Sequence, residues 1–345
     1  MRIGFFSDSY FPEIDGVTYT LDSWKERLEE RGHEVYIIYP ESESYDSGRR
    51  EIPVRSVTNP FYEGYNIPLP LFQDLPDLDV VHCHSPAPVG WLGRLYSMRN
   101  NVPSVYTHHT PIEEYFVQAV KLESLANLMK KVYVPLEEKF LSTFDKVITN
   151  TEKGRRNVSS VKIDAGIDMR FFQESNTDTR EEEVIGYSGR ISNEKNLEEV
   201  VEMSQEIDAK LVVVGEGPAR EEIEAEAPED TVFKDFLPRK KLPHHYSKLD
   251  VFITASTGDT LGLSPLEANA CGTPVVAPDV HPFDKTIEPG NGLKYEKGNI
   301  QDFREKVRTA LNQKWQTRKA VQKYSLKASI DQIEKIYENL DGKKQ

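Results

Sequence analysis

The sequence has few cysteines, no long apolar run and no excess of positive charge. Only Cys83 and Cys271 occur among its 345 residues, and each lies in an apolar segment, which is typical of buried thiols rather than of a disulfide framework. No segment approaches the roughly 20 apolar residues that cross a bilayer, which excludes an integral membrane protein. The net charge of −14 argues against a nucleic-acid partner, because phosphate backbones attract basic surfaces.

The length and the amino-terminal residues indicate a cytoplasmic protein of two domains. At 345 residues the chain exceeds what a single hydrophobic core usually organises, so two domains of similar size are expected. The apolar run 3–6 is predicted to be the first strand, which leaves no room for a signal peptide before it. We therefore expect a cytoplasmic location.

The first half of the sequence alternates predicted strands with predicted helices. Apolar residues at helical spacing between 17 and 28 separate the strand over 3–6 from a second strand over 35–39, and Gly32 fits the end of that helix. Further strands are predicted over 80–83, 104–107 and 146–149, and helical material over 115–140. Repetition of this βαβ unit implies a parallel sheet with helices on both faces.

The second half repeats the pattern from a first strand of its own. Short β-branched runs predict strands over 184–187, 211–214, 251–253 and 275–277. The polar segment 174–183 is predicted to be the linker, with the domain boundary near residue 170. The predicted fold class is α/β, with two Rossmann-like, doubly wound domains, 1–170 and 171–320, whose parallel sheets face a common cleft. A helical segment, 321–345, is predicted to pack back on the first domain.

Two cationic residues flank a predicted strand-to-helix turn. Arg190 follows the strand over 184–187, and Lys195 precedes the next helix. A planar guanidinium and an ammonium in these positions are suited to bind a diphosphate. Each residue taken alone is equally consistent with an ordinary surface charge.

The segment 255–276 carries the strongest chemical pattern. It follows a strand, turns through Gly262 and is predicted to start a helix near Ser264, with that serine as the cap. The backbone amides of Leu263 and Ser264 would then lie at a helix start, where they can bind a phosphate.

Two carboxylates flank this predicted helix start. Glu267 lies one turn into the helix, where it can accept two hydrogen bonds from a ribose, and Asp259 can accept hydrogen bonds from a sugar. The alternative interpretation is a serine-capped helix in which Glu267 is an ordinary acidic residue favoured by the helix dipole.

These motifs resemble glycosyltransferase family 4, which contains retaining enzymes with the GT-B fold. The family signature has two acidic residues separated by seven others and followed by Gly-Thr-Pro-Val-Val, and it corresponds here to Asp259, Glu267 and residues 272–276. Other similar segments, which together extend over most of the chain, are 8–12, 16–17, 79–86, 107–110, 166–168, 189–190, 194–197 and 214–218. The resemblance is closest to the branch of diacylglycerol glucosyltransferases and lipid hexosyltransferases.

The resemblance implies roles for individual residues. The catalytic positions would be His109, Asp259, Arg190 and Lys195; the donor-binding positions would be Gly16, Gly189, Arg190, Lys195, Gly262, Leu263, Ser264 and Glu267; the acceptor side would have Tyr10, His109 and Tyr115. His108 is an equal candidate for the histidine that faces the cleft. The resemblance also implies a UDP- or GDP-sugar as donor and no metal or other cofactor, and the Asp-x-Asp pattern at residues 77–79 is interpreted as a surface turn.

The sequence leaves the hexose, the acceptor and part of the functional class open. Asp259 stands where the family usually has glutamate, so the hexose is not determined. Family members that modify lipids use a basic, apolar surface after the position of His109. This favours a lipid or lipid-linked acceptor, and peripheral contact at the inner face of a membrane, over a soluble sugar, although a core-facing helix explains the same pattern. A nucleotide-sugar epimerase and a non-catalytic sugar-nucleotide-binding protein are the two other hypotheses.

Overall fold

The computed structural model describes residues 1–13, 15–58, 66–69, 74–109, 123–150, 155–176, 182–259 and 261–342. The chain divides into two compact domains, residues 1–166 together with 326–345, and residues 167–325. The division falls ahead of the segment predicted to be the linker, because Ile167 and Phe172 are buried in the core of the second domain. The second domain therefore also includes residues 167–170 and 321–325, outside the predicted range 171–320.

The first domain, in its described residues, is built on a parallel sheet. Its elements up to Gly166 are β1 (Arg2–Phe6), α1 (Gly16–Glu30), β2 (Glu34–Pro40), β3 (Glu51–Val54), β4 (Ser56–Thr58), β5 (Asn66–Pro68), β6 (Val80–Cys83), α2 (Pro88–Asn100), β7 (Ser104–His108), α3 (Glu123–Leu141), β8 (Lys146–Thr149) and β9 (Ser160–Lys162). The strands pair in the order β3-β2-β1-β6-β7-β8-β9, and β4 and β5 form a separate antiparallel pair.

The second domain, in its described residues, contains a second parallel sheet. Its elements are β10 (Val184–Ser188), α4 (Leu197–Ser204), β11 (Lys210–Val214), α5 (Arg220–Glu226), β12 (Val232–Lys234), α6 (Leu242–Ser247), β13 (Val251–Ile253), α7 (Leu263–Ala270), β14 (Val275–Pro278), α8 (Phe283–Thr286), β15 (Gly292–Tyr295), α9 (Ile300–Leu311) and α10 (Thr317–Ala320). The strands pair in the order β12-β11-β10-β13-β14-β15. The predicted α/β class with two parallel sheets is confirmed, and β12 and β15 are strands that the sequence patterns did not indicate.

The last helix, α11 (Leu326–Asp341), belongs to the first domain. Ile330 and Ile333 are fully buried in the same core as Trp24 of α1. The Trp24 indole also donates a hydrogen bond to the carbonyl of Ala165 at 2.8 Å. Because each buried aliphatic side chain contributes about 1.5–3 kcal/mol, the burial of Ile330 and Ile333 holds α11 against the first domain. No helix within the described ranges is long and apolar enough to cross a membrane.

Candidate active site

The predicted donor residues follow the strands at which the order of the second sheet reverses. β10 pairs with β13, and the strands on either side run outward to β12 and to β15. Loops that leave two such strands diverge and form a crevice at the carboxyl edge of the sheet. Arg190 follows β10 and Asp259 follows β13, so the fold brings both segments to this crevice.

Lys195 forms an ion pair with Asp259. Its ammonium donates to Oδ1 of Asp259 at 2.9 Å and to the hydroxyl of Ser256 at 3.3 Å. The side chains of Lys195 and Asp259 are 16% and 26% exposed. A solvent-accessible pair of this kind contributes only about 0–1 kcal/mol, so an anionic ligand can replace the carboxylate at little cost.

The loop before α4 is tied to the loop after β13. Asn196 adopts a left-handed conformation with φ 47°, which asparagine tolerates better than most residues. Its side-chain amide donates to the carbonyl of Ala255 at 2.9 Å, and the backbone amide of Thr257 donates to the carbonyl of Glu194 at 3.1 Å. These bonds fix the position from which Lys195 extends.

Arg190 combines a fixed backbone with a free side chain. Its carbonyl accepts a hydrogen bond from the hydroxyl of Tyr187 at 2.8 Å. The loop is also closely approached by Gly215, where an added Cβ would lie 1.9 Å from the carbonyl oxygen of Gly189. The guanidinium is exposed and has no ion-pair partner among the described residues. Arg190 can therefore bind an anion without first breaking an internal contact.

The start of α7 is set by Gly262. This residue has φ +76°, and a Cβ there would lie 2.7 Å from the ring of Phe283, so glycine is required. The helix begins at Leu263, and Ser264 lies inside its first turn without making a capping hydrogen bond, so the predicted serine cap is wrong. The amides of Leu263 and Ser264 have no acceptor within the helix, as an anion site requires.

Glu267 lies on α7 with its carboxylate beside Tyr246. The tyrosine hydroxyl donates to Oε2 of Glu267 at 3.0 Å, and it also interacts with the side chains of Ser188 and Ser264. Burial raises the pKa of Glu267 to about 7, although the hydrogen bond from Tyr246 and the charge of Arg239 act in the opposite direction. A partly buried carboxylate that changes charge near neutral pH is typical of a binding site.

The histidines proposed for the first domain are buried. His109 follows β7, and its Nε2 lies 2.9 Å from Nδ1 of His84, while its Nδ1 lies 3.3 Å from the side-chain amide of Asn150. Burial lowers the pKa of His109 to about 4, so the ring is neutral at physiological pH. Nε2 of His108, the alternative candidate, lies 3.6 Å from the carboxylate of Glu137.

The other predicted first-domain residues have different surroundings. Gly16 is exposed and begins α1. Tyr10 is buried, and its hydroxyl donates to Oε1 of Glu51 at 3.0 Å, which gives it a partner inside the domain. Tyr115 lies outside the described residues.

Sequence reasoning missed two residues that shape the site. Asn196 lies within the motif at residues 194–197. The only signal for its left-handed turn was that asparagine tolerates this conformation better than most residues. Tyr246 lies on another helix, 21 residues before Glu267, and no spacing in the sequence links the two. Within the described ranges, no three His, Cys, Asp or Glu side chains are grouped so that they could hold a metal ion.

The fold and the site together define a two-domain α/β protein whose second domain has a crevice with cationic side chains and free helix amides. Residues 14–168 match the model of Glycosyltransferase Family 4, and residues 168–328 match that of Glycosyl transferases group 1. Between them the two models span nearly the whole chain. The protein therefore belongs to glycosyltransferase family 4 and is a glycosyltransferase.

Named relatives and solved structures agree with this assignment. The chain is 29% identical over 316 residues to an alpha-monoglucosyldiacylglycerol synthase of Streptococcus pneumoniae, covering 80% of this chain and 71% of that one. It is 27% identical to the enzyme of the same name from Acholeplasma laidlawii, covering 86% and 85%. Sucrose-phosphate synthase from Thermosynechococcus elongatus has the same fold, with a TM-score of 0.74, 17% identity and 98% of both chains covered. The expected GT-B fold is thereby confirmed.

Nucleotide affinity is expected to fall in acid because of Glu267. With a pKa of about 7, the carboxylate is mostly ionised at pH 8 and mostly protonated at pH 6, and only the ionised form accepts two hydrogen bonds from a ribose. The dissociation constant of a nucleoside diphosphate, measured by calorimetry, should rise about tenfold between these pH values. Glu267→Gln should remove this Glu267-dependent increase and leave only the change due to phosphate titration. Equal pH dependence in both proteins would contradict the prediction.

Proposed function

We propose that this glycosyltransferase transfers glucose from a nucleoside diphosphate sugar to a hydroxyl of a diacylglycerol lipid, with retention of the anomeric configuration. The observation that carries the proposal is the ion pair that joins Lys195 to the loop leading into α7, because it places a cation next to a helix start with free amides. The names of the two relatives support glucose as the hexose and diacylglycerol as the acceptor class.

The reaction builds negative charge on the diphosphate as it leaves. The bond from the anomeric carbon to the diphosphate oxygen breaks, a bond to the lipid oxygen forms, and the hydroxyl proton passes to the leaving phosphate or to solvent. Lys195, Arg190 and the amides of Leu263 and Ser264 are positive groups that stabilise this charge. The proposed reaction therefore proceeds without a metal ion.

The two carboxylates of the site have different proposed roles. Glu267 binds the ribose, since its ionised carboxylate can accept two hydrogen bonds. Asp259 binds hydroxyls of the transferred sugar after the diphosphate has replaced it as the partner of Lys195. This exchange follows from the ion pair of 2.9 Å, because both the diphosphate and the aspartate require the same ammonium.

Two helices of the first domain provide a surface that is suited to a membrane. The apolar face of α2 and α3 consists of exposed side chains: Trp91, Leu95 and Met98 on α2, and Leu125, Leu128, Met129, Val132 and Leu136 on α3. The ring of Trp91 lies 4.3 Å from that of Phe140, which joins the two helices. Between residues 124 and 136 the charged residues are Lys130 and Lys131, both exposed. Apolar side chains beside cations fit the surface of an anionic lipid bilayer.

Membrane binding is expected to depend on the two lysines of α3. Changing both Lys130 and Lys131 to glutamine should weaken binding to vesicles that contain phosphatidylglycerol by about 2 kcal/mol, because each lysine near an anionic surface contributes about 1 kcal/mol. Co-sedimentation measures this effect. The control changes Lys240 and Lys241, two exposed lysines of the second domain, to glutamine. Equal binding by the two double variants would contradict the proposed surface.

Incubation with labelled donors tests the proposed reaction directly. The protein is mixed with labelled UDP-glucose or GDP-mannose, diacylglycerol in detergent micelles, and either EDTA or magnesium. A labelled lipid with an α-linked glucose, formed equally with EDTA, is the expected product. Label on a soluble sugar but not on lipid would overturn the acceptor assignment. Loss of product with EDTA would overturn the metal-free mechanism.

A further inference from the structure

Three adjacent strands of the first sheet end in polar side chains that form one cluster. His84 follows β6, His109 follows β7 and Asn150 follows β8, and these strands are neighbours in the sheet. The register pairs Cys83 with Tyr106 and Thr149 with His108, so the three strands end close together. All three side chains are buried, with at most 8% exposure.

His84 contacts His109 through one pair of facing ring nitrogens. Its Nδ1 lies 2.9 Å from Nε2 of His109, and the ring centroids are 5.2 Å apart with an angle of 27° between the ring planes. Both rings are neutral near pH 7, because burial lowers the pKa of each. Only one of the two facing nitrogens can then carry a proton, so the tautomer of one ring determines that of the other.

The remaining contacts leave His84 as the side chain that controls His109. On the other side, Nδ1 of His109 faces the amide of Asn150 at 3.3 Å, and an amide can donate or accept according to its orientation. Nε2 of His84 and Oδ1 of Asn150 have no hydrogen-bond partner among the described residues. No other described group thus opposes either proton arrangement, and the short contact between the two imidazoles couples the tautomer of His109 to that of His84.

We propose that His84 is a positioning residue, which fixes the ring plane and the tautomer of His109 through the hydrogen bond between their facing nitrogens. His109 is one of the catalytic positions that the resemblance to glycosyltransferase family 4 implies. The kinetic consequence therefore rests on the proposed function, whereas the tautomer can be observed without any turnover.

Nitrogen NMR of the intact protein tests the proposal. In protein labelled with 15N-histidine, long-range proton–nitrogen spectra distinguish a proton on Nδ1 from one on Nε2. Because Nδ1 of His84 faces Nε2 of His109, the two rings are expected to share one tautomer, with both protons on Nδ1 or both on Nε2. Different tautomers in the two rings would place either two protons or none between the facing nitrogens, and would overturn the proposal even if no variant could be purified.

Two substitutions of His84 then separate positioning from folding. His84→Leu removes the partner, so the His109 signals should change and kcat should fall about 10- to 100-fold, the usual range for a misplaced catalytic group, while KM for the donor changes less than about twofold. His84→Asn places an amide where Nδ1 was and should restore most of the rate. Unchanged His109 signals in folded His84→Leu would overturn the proposal. Changed signals with an unchanged kcat would support positioning and count instead against the role of His109 in transfer.

A matched control exists in the same cluster. The ring of His82 is tilted by 30° against that of His84 with centroids 4.2 Å apart, but its nitrogens face Tyr337 at 2.6 Å and Thr107 at 2.7 Å instead of His109. Tyr337→Phe removes one buried hydrogen bond from this neighbour. It should lower the melting temperature and leave both the His109 tautomer and kcat unchanged, whereas a drop in kcat equal to that of His84→Leu would show a merely structural effect.

Discussion

Replacing Lys195 by alanine is expected to lower kcat/KM for the sugar nucleotide by about 100- to 1000-fold, the usual effect of removing one group that stabilises developing negative charge. The ammonium of Lys195 lies 2.9 Å from Asp259, at the loop that leads to α7. The leaving diphosphate therefore loses its nearest point charge, while Arg190 and the helix amides remain. Initial rates with labelled donor and lipid acceptor measure the loss.

The control for this prediction is a lysine with a similar ion pair elsewhere in the second domain. Lys306 lies 3.3 Å from Asp302, one turn away on α9. Lys306→Ala removes a comparable surface contact and should leave kcat/KM within about twofold of wild type. If the two variants retain the same activity, Lys195 does not act on the leaving group.

Much of this site is predictable from local patterns in the sequence. Apolar strands followed by turns place Arg190 and Asp259 after strands, and parallel strands expose their carboxyl ends at one edge of the sheet. The structure confirms that β10 and β13 are neighbours. It also brings Lys195 to Asp259. From the sequence, these two residues belong to separate motifs, and a direct contact between them was not predicted.

Other features depend on contacts that no local pattern encodes. Ser264 has the right residue type for a cap, but the cap position is taken by Gly262 in a left-handed conformation, two residues earlier. β12 is only three residues long, and β15 begins with a glycine, so neither has the apolar run by which a strand is recognised. Tyr246 reaches Glu267 only because α6 packs against α7.

The aspartate at position 259 is explained in part by its contact with Lys195. The family usually has glutamate there, and a shorter side chain reaches less far into the crevice. In this protein the carboxylate already has a partner within hydrogen-bond distance, so it neutralises the lysine before a ligand arrives. Asp259 thus holds the ammonium in place at the loop before α7, in addition to its proposed contact with the sugar.

Replacing Glu267 by alanine is expected to weaken the binding of a nucleoside diphosphate by about 3 kcal/mol, or about 100-fold, because a ribose loses two hydrogen bonds to a charged group. Calorimetry at pH 8, where the carboxylate is mostly ionised at a pKa of about 7, gives the largest difference. The binding of inorganic diphosphate, which has no ribose, should change less than about twofold in the same variant.

A stability measurement separates this loss from misfolding. Burial raises the pKa of Glu267 from 4.5 to about 7, so the carboxylate destabilises the folded protein in full above pH 7, and this cost is lost gradually as the pH falls from 7 to 4.5. Glu267→Gln should therefore raise the melting temperature at pH 8 while nucleotide affinity falls. Glu222→Ala, on an exposed position of α5, should change neither. A Glu267→Gln protein that is less stable at pH 8 and retains wild-type affinity would show that the buried carboxylate supports the fold and does not bind the ribose.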